Sequence, residues 1–463
     1  MAYAIAATSA IGAGLYFRGP LLATAFLLVI GICTALVGRI SLAQAGVIAA
    51  CGAAFTAPWN AVVIFWARPG DLLLLVALVF FLAASGLRDW PIPPWWVLQL
   101  ATIIVVLTAV HEVAPAGDEF IRQHTFYTAT GQAITATPSN LGIAARWLVS
   151  LVGVTLVISF AVQHRRAAAR WIATCFAAGV AFNALIAVSD RLGVTAISAL
   201  FIYPDPTGRQ AGLTVHPNHL AAGCMLAIPI VLWLISRSSL RGRVVGSACL
   251  LAALLGTYVS GSRGGAVTAV LAVGLTLMVL QKFRPALPAL TLVATVGSLT
   301  IVALNPEIVD QLLAATRLGG DRKFTAASDA ARDLMTEQGL ADFLHSSVIG
   351  VGFQVALDAH SIVLQALAAG GVVLLMSFGV FVVCLLRAAA LLNRPTQLPR
   401  ALFACVACWL VFGIVENLLI DRYLYVPVGL IIALVVAERA RRGGAPASAS
   451  EQSPAKALRA GVA

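Results

Sequence analysis

The chain is short of charge. Only 11% of its 463 residues are Asp, Glu, Lys or Arg, against roughly 25% in a soluble domain. So few charges could not clothe several soluble cores in water, which excludes a multidomain soluble protein; the high apolar content excludes disorder as well. Acidic residues are the scarcer sign, 19 against 30 basic. Cysteine is sparse, and Cys33, Cys51, Cys175, Cys224, Cys249, Cys384, Cys405 and Cys408 all fall inside apolar stretches. A secreted disulfide framework is therefore excluded. Cys405 and Cys408 have C-x-x-C spacing, which on an apolar helix reads as packing rather than redox or zinc chemistry. Also missing are an HExxH motif, a P-loop and a DxD-like carboxylate pair, so no metal and no nucleotide cofactor is expected. No charged n-region precedes the first apolar stretch, so a cleaved signal peptide is not expected.

What the chain has in abundance is apolar sequence: 60% hydrophobic residues and a mean hydropathy of +0.95. Apolar stretches run at 2–17, 20–38, 42–66, 71–87, 95–113, 141–162, 170–188, 216–235, 243–259, 264–281, 286–304, 361–387, 400–419 and 423–438. Most are close to the ~20 residues that an α-helix needs to cross ~30 Å of hydrocarbon. They are continuously apolar rather than alternating, which points to a helix bundle and not a β-barrel. The expectation is an all-α polytopic membrane protein with 12 to 14 crossings in one membrane domain, 1–438. The first stretch is short, and the third contains Pro58 and Asn60, which favours a kink or an interfacial segment there.

Charge sets the orientation, because Lys and Arg favour the cytoplasmic side. With the segment after 438 inside, alternation puts Arg39, Arg88, Arg165, Arg166, Arg170, Arg237, Arg241, Arg243, Lys282, Arg284, Arg387, Arg394, Arg400 and the tail's basic residues inside. The inner face then carries 18 of the 30 basic residues and a net +15, and the outer face a net −4, which together make the +11 of the whole chain. The basic balance thus describes topology, and no nucleic-acid partner is expected. Residues 439–463, rich in Ala, Ser, Gly and Pro, read as a disordered cytoplasmic tail.

Three outer features interrupt the bundle. A loop at 114–140 has His111 and Glu112 at its edge. A Pro- and Gly-containing connector covers 189–215. A long outer loop spans 305–360, and loops of that length are uncommon unless functional. Within it, 329–344 place Leu334, Met335 and Phe343 at helical spacing with Ser328 as an N-cap candidate, which predicts a helix at the membrane surface.

Polar groups at a membrane mouth are costly and mark candidate sites. Four sets stand out. Arg209 to His219 leads into a membrane helix started by Pro217, where free amides and Arg209 make an anion site; a capped helix start with a snorkelling Arg is the plainer reading. Ser260-Gly261-Ser262-Arg263-Gly264-Gly265 allows close backbone approach beside a permanent charge, or is simply a tight turn. Arg317, Arg322, Lys323 and Arg332 interleave with Asp321, Asp329 and Asp333, as a solvated charged face also would. Gly350-Val351-Gly352-Phe353 precedes Asp358-Ala359-His360-Ser361, which opens a long apolar helix with Gly370-Gly371. A His at a helix N-terminus is kept neutral by the positive dipole end and can act as a general base. Glu416, Asn417, Asp421 and Arg422, on the last outer turn, are rim candidates or a solvated turn. Together these imply a metal-independent outer site for a phosphorylated, membrane-delivered substrate, since arginines clamp phosphate bidentately.

These residues resemble the O-antigen ligase and O-antigen polymerase superfamily of bacterial polytopic membrane glycosyltransferases. Arg209, Gly212 and Pro217-Asn218, then Ser262-Arg263-Gly264, then a long loop with Arg332, Gly350-x-Gly352 and His360, carry the resemblance, which covers about 200–438. It implies a GT-C-like fold in the cytoplasmic membrane, with the active site on the outer side and the C-terminus cytoplasmic. It implies transfer of a glycan from a polyprenyl-diphosphate-linked donor to an acceptor hydroxyl on a glycan, lipid or protein. By analogy His360 is the general base, while Arg209 and Arg332 hold the diphosphate, with Arg322 and Arg317 as fallbacks and Arg263 beside them. Gly212, Asn218, Ser262, Gly352, Ser361 and Glu416 would line the pocket. Ser361 stands where the family usually carries Asn. The competing expectation, from another class, is a transporter or flippase of lipid-linked saccharides.

Overall fold

The computed structural model describes residues 40–63, 68–85, 90–114, 126–127, 133–134, 139–202, 205, 207–237, 239–283, 285, 296, 300, 322–356, 359–392 and 397–443. The candidate stretches at 2–17, 20–38 and nearly all of 286–304 lie outside these residues, as do most of the 114–140 loop, Arg317 and the tail beyond 443. Twelve helices are described. They are α1 (Leu42–Thr56), α2 (Pro69–Ser85), α3 (Trp95–Val113), α4 (Asn140–His164, with a π-helical turn at Val149–Gly153), α5 (Ala168–Arg191) and α6 (Pro217–Arg237). They continue as α7 (Leu240–Ser260), α8 (Arg263–Val279), α9 (Arg322–His345), α10 (Ile362–Leu391), α11 (Leu398–Phe412) and α12 (Arg422–Gly443). The extended exception among the described residues is a two-residue antiparallel ladder in the 114–140 loop, Phe126 opposite Ile134 and Tyr127 opposite Ala133.

Seven helices, α3 to α7, α10 and α12, are long and apolar enough to cross a membrane, and α1, α2, α8 and α11 are shorter apolar helices. Apolar side chains remain exposed along α2 (Leu72, Leu75, Val76, Val79) and α7 (Val244, Val245, Leu251, Leu254). A helix that is apolar all round and still partly exposed has lipid, not water, as its solvent. Helix α6 is the central one, with 83% of its apolar window buried, and it packs against α5, α7, α8, α11 and α12. Small residues permit the close approach: Gly256 of α7 faces Ala184 and Cys224, and Gly265 of α8 faces Ala221. Cys405 and Cys408 are free and buried in this core, where the Cys405 Sγ donates to the Leu226 carbonyl at 3.2 Å.

The interruption expected at Pro58 is present, and two other elements differ from their sequence reading. The stretch 42–66 is not one span: α1 ends at Thr56 ahead of Pro58, and Trp59 to Val63 form a loop. The stretch 400–419 stops as a helix at Phe412, because Gly413 begins a loop that runs to Asp421. Ser328 is not an N-cap: α9 passes through it from Arg322, carried by the alanines at 326, 327, 330 and 331. Helix α9 also exposes Leu334 (67%) and instead buries Gly339 and Asp342 against α10.

Helix α10 is broken at Gly371, whose φ of 62° and ψ of −163° are not helical. The break frees backbone groups, and the segment that follows α9 takes them up. The amides of Val351 and Gly352 donate to the carbonyls of Ala368 and Ala369 at 2.8 and 3.1 Å, and the amides of Val372 and Val373 donate to those of Ser347 and Val348 at 2.9 and 3.3 Å. His111 of α3 adds a contact from Nε2 to the Gly350 carbonyl at 2.9 Å. The long loop is thereby seated in the bundle, just ahead of His360.

This seat predicts the effect of two glycine substitutions in one helix. Gly371→Ala places a side chain in a conformation that costs L-residues about 1–3 kcal/mol, with the Val348 carbonyl where the new Cβ would go. It should lower the thermal midpoint in detergent. Gly379→Ala, with open space around it, should leave the midpoint unchanged or raise it. Equal midpoints for the two variants would contradict the seat.

Candidate functional site

The site lies at the end of the bundle where α5, α7 and α11 finish and α6, α8, α10 and α12 begin. The connector 207–216 crosses this end as an ordered segment. The Gln210 amide donates to the Val259 carbonyl at 3.0 Å, the Leu213 amide to Asn183 Oδ1 at 2.5 Å, and the Val215 amide to Asn60 Oδ1 at 2.9 Å. Gly212 has a φ of 59° and packs on Asn183, so a side chain there would displace the connector.

The connector delivers Arg209. Its Nε donates to the Ser260 carbonyl at 2.8 Å and its NH2 to Asn218 Oδ1 at 2.6 Å, while Asn218 Nδ2 donates to Glu416 Oε2 at 2.6 Å. Ser260 ends α7, Gly261 turns with a φ of 58°, and the Ser262 Oγ accepts from the Gly265 amide at 3.2 Å to cap α8. That cap puts Arg263 in the first turn of α8. Arg332 arrives from α9, on the helix face that carries Gly339 and Asp342. Arg209, Asn218, Ser262, Arg263, Arg332 and Glu416 thus line one cavity of about 190 Å³, closed on its apolar side by Phe412 and Val415. Among the described residues, three guanidinium groups, the α8 N-terminus and the Glu416 carboxylate line this cavity, a set of donors that suits an anion.

Glu416 is buried on the 413–421 loop, which is pinned at several points. The Ile362 amide donates to the Gly413 carbonyl at 2.7 Å, Trp409 Nε1 to Leu418 at 2.9 Å, Tyr425 OH to Leu419 at 2.6 Å and Ser150 Oγ to Ile420 at 3.1 Å. His360 is half-buried two residues ahead of α10, and its Nδ1 is buried with no hydrogen-bond partner among the described residues. Burial holds the His360 pKa below 6.5, opposed by the charge of Glu416 and helped by that of Arg332.

Six of the sequence candidates meet at this cavity, and His360 stands within the electrostatic reach of two of them. The rest are placed elsewhere. Gly352 has a φ of 99° and lies against His111 and Asn140. Ser361 is the N-cap residue of α10 and makes no side-chain cap bond. The side chain of Arg322 lies outside the described residues. Among the described residues, no group of three or more His, Cys, Asp or Glu side chains is disposed to hold a metal ion.

Sequence reasoning missed two features. The first is His216, which stands in the motif without having been singled out. Its Nδ1 accepts from the Asn218 amide at 3.2 Å, so the ring proton sits on Nε2. Burial, then the charges of Arg209 and His219, push its pKa down to about 3. His216 is therefore a neutral hydrogen-bond donor and not a base. The second is a half-buried ionic cluster around Asp421, a residue that the sequence offers as pocket rim or solvated turn. Asp421 accepts from His219 Nδ1 and Asn60 Nδ2, each at 3.1 Å, and lies 4.0 Å from Arg68, while Arg422 pairs with Asp71. The signals were Asn60 and Pro58 inside an apolar run, and an Asp-Arg step at a helix start.

No protein-family model matches the chain, and no curated protein matches it significantly in sequence.

Burial alone would raise the Asp421 pKa, but the charges of His219 and Arg68 and the bonds from His219 and Asn60 hold it down to about 2. A depressed carboxylate stabilises the fold above its unfolded pKa, and that contribution is lost as pH falls through the folded one. The wild-type protein should therefore lose stability as pH drops from 3.8 toward about 2. Asp421→Asn should be less stable at neutral pH and less pH-dependent across that window. Thermal unfolding across the window checks this, and a wild-type profile as flat as that of the variant would contradict it.

Proposed function

We propose that the protein is a metal-independent, inverting glycosyltransferase of the O-antigen ligase and polymerase type, a GT-C-like bundle of 12 to 14 crossings in the cytoplasmic membrane. It moves a glycan from a polyprenyl-diphosphate-linked donor to an acceptor hydroxyl. The observation that carries this reading is the convergence of Arg209, Arg263 and Arg332, from three distant segments, on one small cavity beside His360. The excess of Lys and Arg at the opposite ends of the helices supports an outward-facing site.

The chemistry follows from the parts. His360 takes the proton from the acceptor hydroxyl, and the oxygen attacks the anomeric carbon from the face opposite the diphosphate. The bond from that carbon to the diphosphate oxygen breaks, and the electron pair leaves with the diphosphate. Charge grows on the leaving oxygen as the bond lengthens, and preorganised arginines bind it more tightly then than in the ground state. A diphosphate leaves without protonation, so no general acid is needed. The unpartnered Nδ1 of His360 fits this role, because a buried polar atom without a partner is exceptional in a native structure and an acceptor hydroxyl can satisfy the ring.

A transporter of lipid-linked saccharides is the second reading, and the break at Gly371 is the feature that favours it, since transporters build their sites from discontinuous helices. Here, however, the backbone groups freed by the break are bonded to residues 347–352 and do not line a cavity at mid-membrane.

His360→Ala should lower transfer by roughly 10²- to 10⁴-fold, the usual contribution of a general base. Activity of the wild-type protein should fall as pH drops through a value below 6.5, since only the unprotonated ring accepts. Arg209→Ala should weaken use of the donor by roughly 10- to 100-fold, the worth of a hydrogen bond to a charged group. Transfer from a polyprenyl-diphosphate oligosaccharide measures all three effects. Full activity of His360→Ala would remove the base, and unchanged donor dependence of Arg209→Ala would remove the clamp.

A further inference from the structure

A second and larger cavity, about 440 Å³, also reaches Arg209, between the end of α5 and the start of α6. Its volume is in the range of ligand pockets, roughly 300–1,000 Å³. Arg209 lines both cavities, so the two meet at this residue. The chemistry of the two differs. The smaller is dominated by arginines; the larger sets two carboxylates, Asp190 and Asp205, against Arg209, with Thr195, Gln210 and His216 as uncharged partners. Two carboxylates repel a phosphate, so this is no second anion site. Mixed acceptors and neutral donors suit a ligand whose every polar group both donates and accepts, which describes a sugar hydroxyl.

The walls are built to hold those groups still. Asp190 accepts from the Thr195 hydroxyl at 2.5 Å and from the amides of Ile197 and Ser198 at 3.0 and 2.8 Å, which fixes the 195–198 turn. His216 is fixed by the Asn218 amide on Nδ1 and has Nε2–H to donate. Leu192, Val194, Leu200 and Phe201 are exposed around this turn, as expected of a polar pocket that opens at a bilayer surface. We propose that this cavity is a saccharide subsite that receives the sugar directly attached to the donor diphosphate, with the neutral Nε2–H of His216 and the amide of Gln210 as donors to its hydroxyl and ring oxygens. The inference rests on the donor-diphosphate reading, and it adds the place of the sugar and the residues that select it.

The test uses the full chain in nanodiscs and two probes, bare polyprenyl diphosphate and the same lipid diphosphate carrying a saccharide. The wild-type protein should bind the sugar-bearing lipid the tighter of the two. Gln210→Ala and His216→Leu should each reduce that preference by about 3- to 10-fold, and Gln210→Ala should keep its affinity for the bare diphosphate. If both variants keep the wild-type preference, or if each loses affinity for both lipids in equal proportion, the subsite is overturned while the diphosphate clamp stands. If the wild-type protein binds neither lipid, or if the double variant Arg209→Ala with Arg263→Ala binds both as well as wild type does, the donor reading fails and the subsite falls with it.

Discussion

Glu416 is the carboxylate that lets three arginines share one cavity. Arg209, Arg263 and Arg332 surround only about 190 Å³, and like charges that close repel one another. Glu416 offsets part of that repulsion and also sets the geometry. It accepts from Asn218, Asn218 accepts from Arg209, and Arg209 donates to the Ser260 carbonyl at the turn that starts α8 and positions Arg263. One chain of bonds therefore ties α6, the connector, the α7–α8 turn and the 413–421 loop together. In our reading the anion that these arginines hold is the donor diphosphate.

His360 is fixed by the same joint. The Ile362 amide bonds to the Gly413 carbonyl, so His360, two residues before Ile362, and Glu416, three residues after Gly413, are held from one hinge between α10 and α11. Behind that hinge, the break at Gly371 gives the 347–352 segment a backbone seat inside the bundle. A long loop in membrane surroundings would otherwise leave polar groups unsatisfied. The site thus combines loop residues, which supply chemistry, with helix ends, which supply rigidity.

How much of this the sequence disclosed depended on the signal. Apolar length marked the helices, because 18 or more uncharged apolar residues have few other uses, and the helix ends followed within a few residues wherever a Ser cap or a Gly stop stood, as at Ser262 and Gly261. Pro58 marked the break in the 42–66 stretch but not its consequence, which tertiary contacts decide: Asn60 reaches Asp421 and Val215. Arg209, Asn218, Ser262, Arg263, Arg332 and Glu416 were legible as costly groups at membrane mouths and as parts of one outer site, and the cavity they share is defined in three dimensions. Gly212 and Gly352 were read as pocket lining, whereas their positive φ values and close neighbours give them backbone work. His216 escaped notice because its role depends on which ring nitrogen Asn218 occupies, a fact that spacing does not encode.

The account makes the protein an enzyme that consumes a lipid-linked saccharide on the outer face, and not one that moves it there. The most direct test is to locate that saccharide in cells lacking the protein, using a membrane-impermeant reagent that modifies sugars on intact spheroplasts. We predict accumulation on the outer leaflet, where it is open to the reagent, as undecorated long chains for a ligase or single repeat units for a polymerase. Accumulation on the inner leaflet, protected until the membrane is opened, would contradict the account and identify a transporter instead.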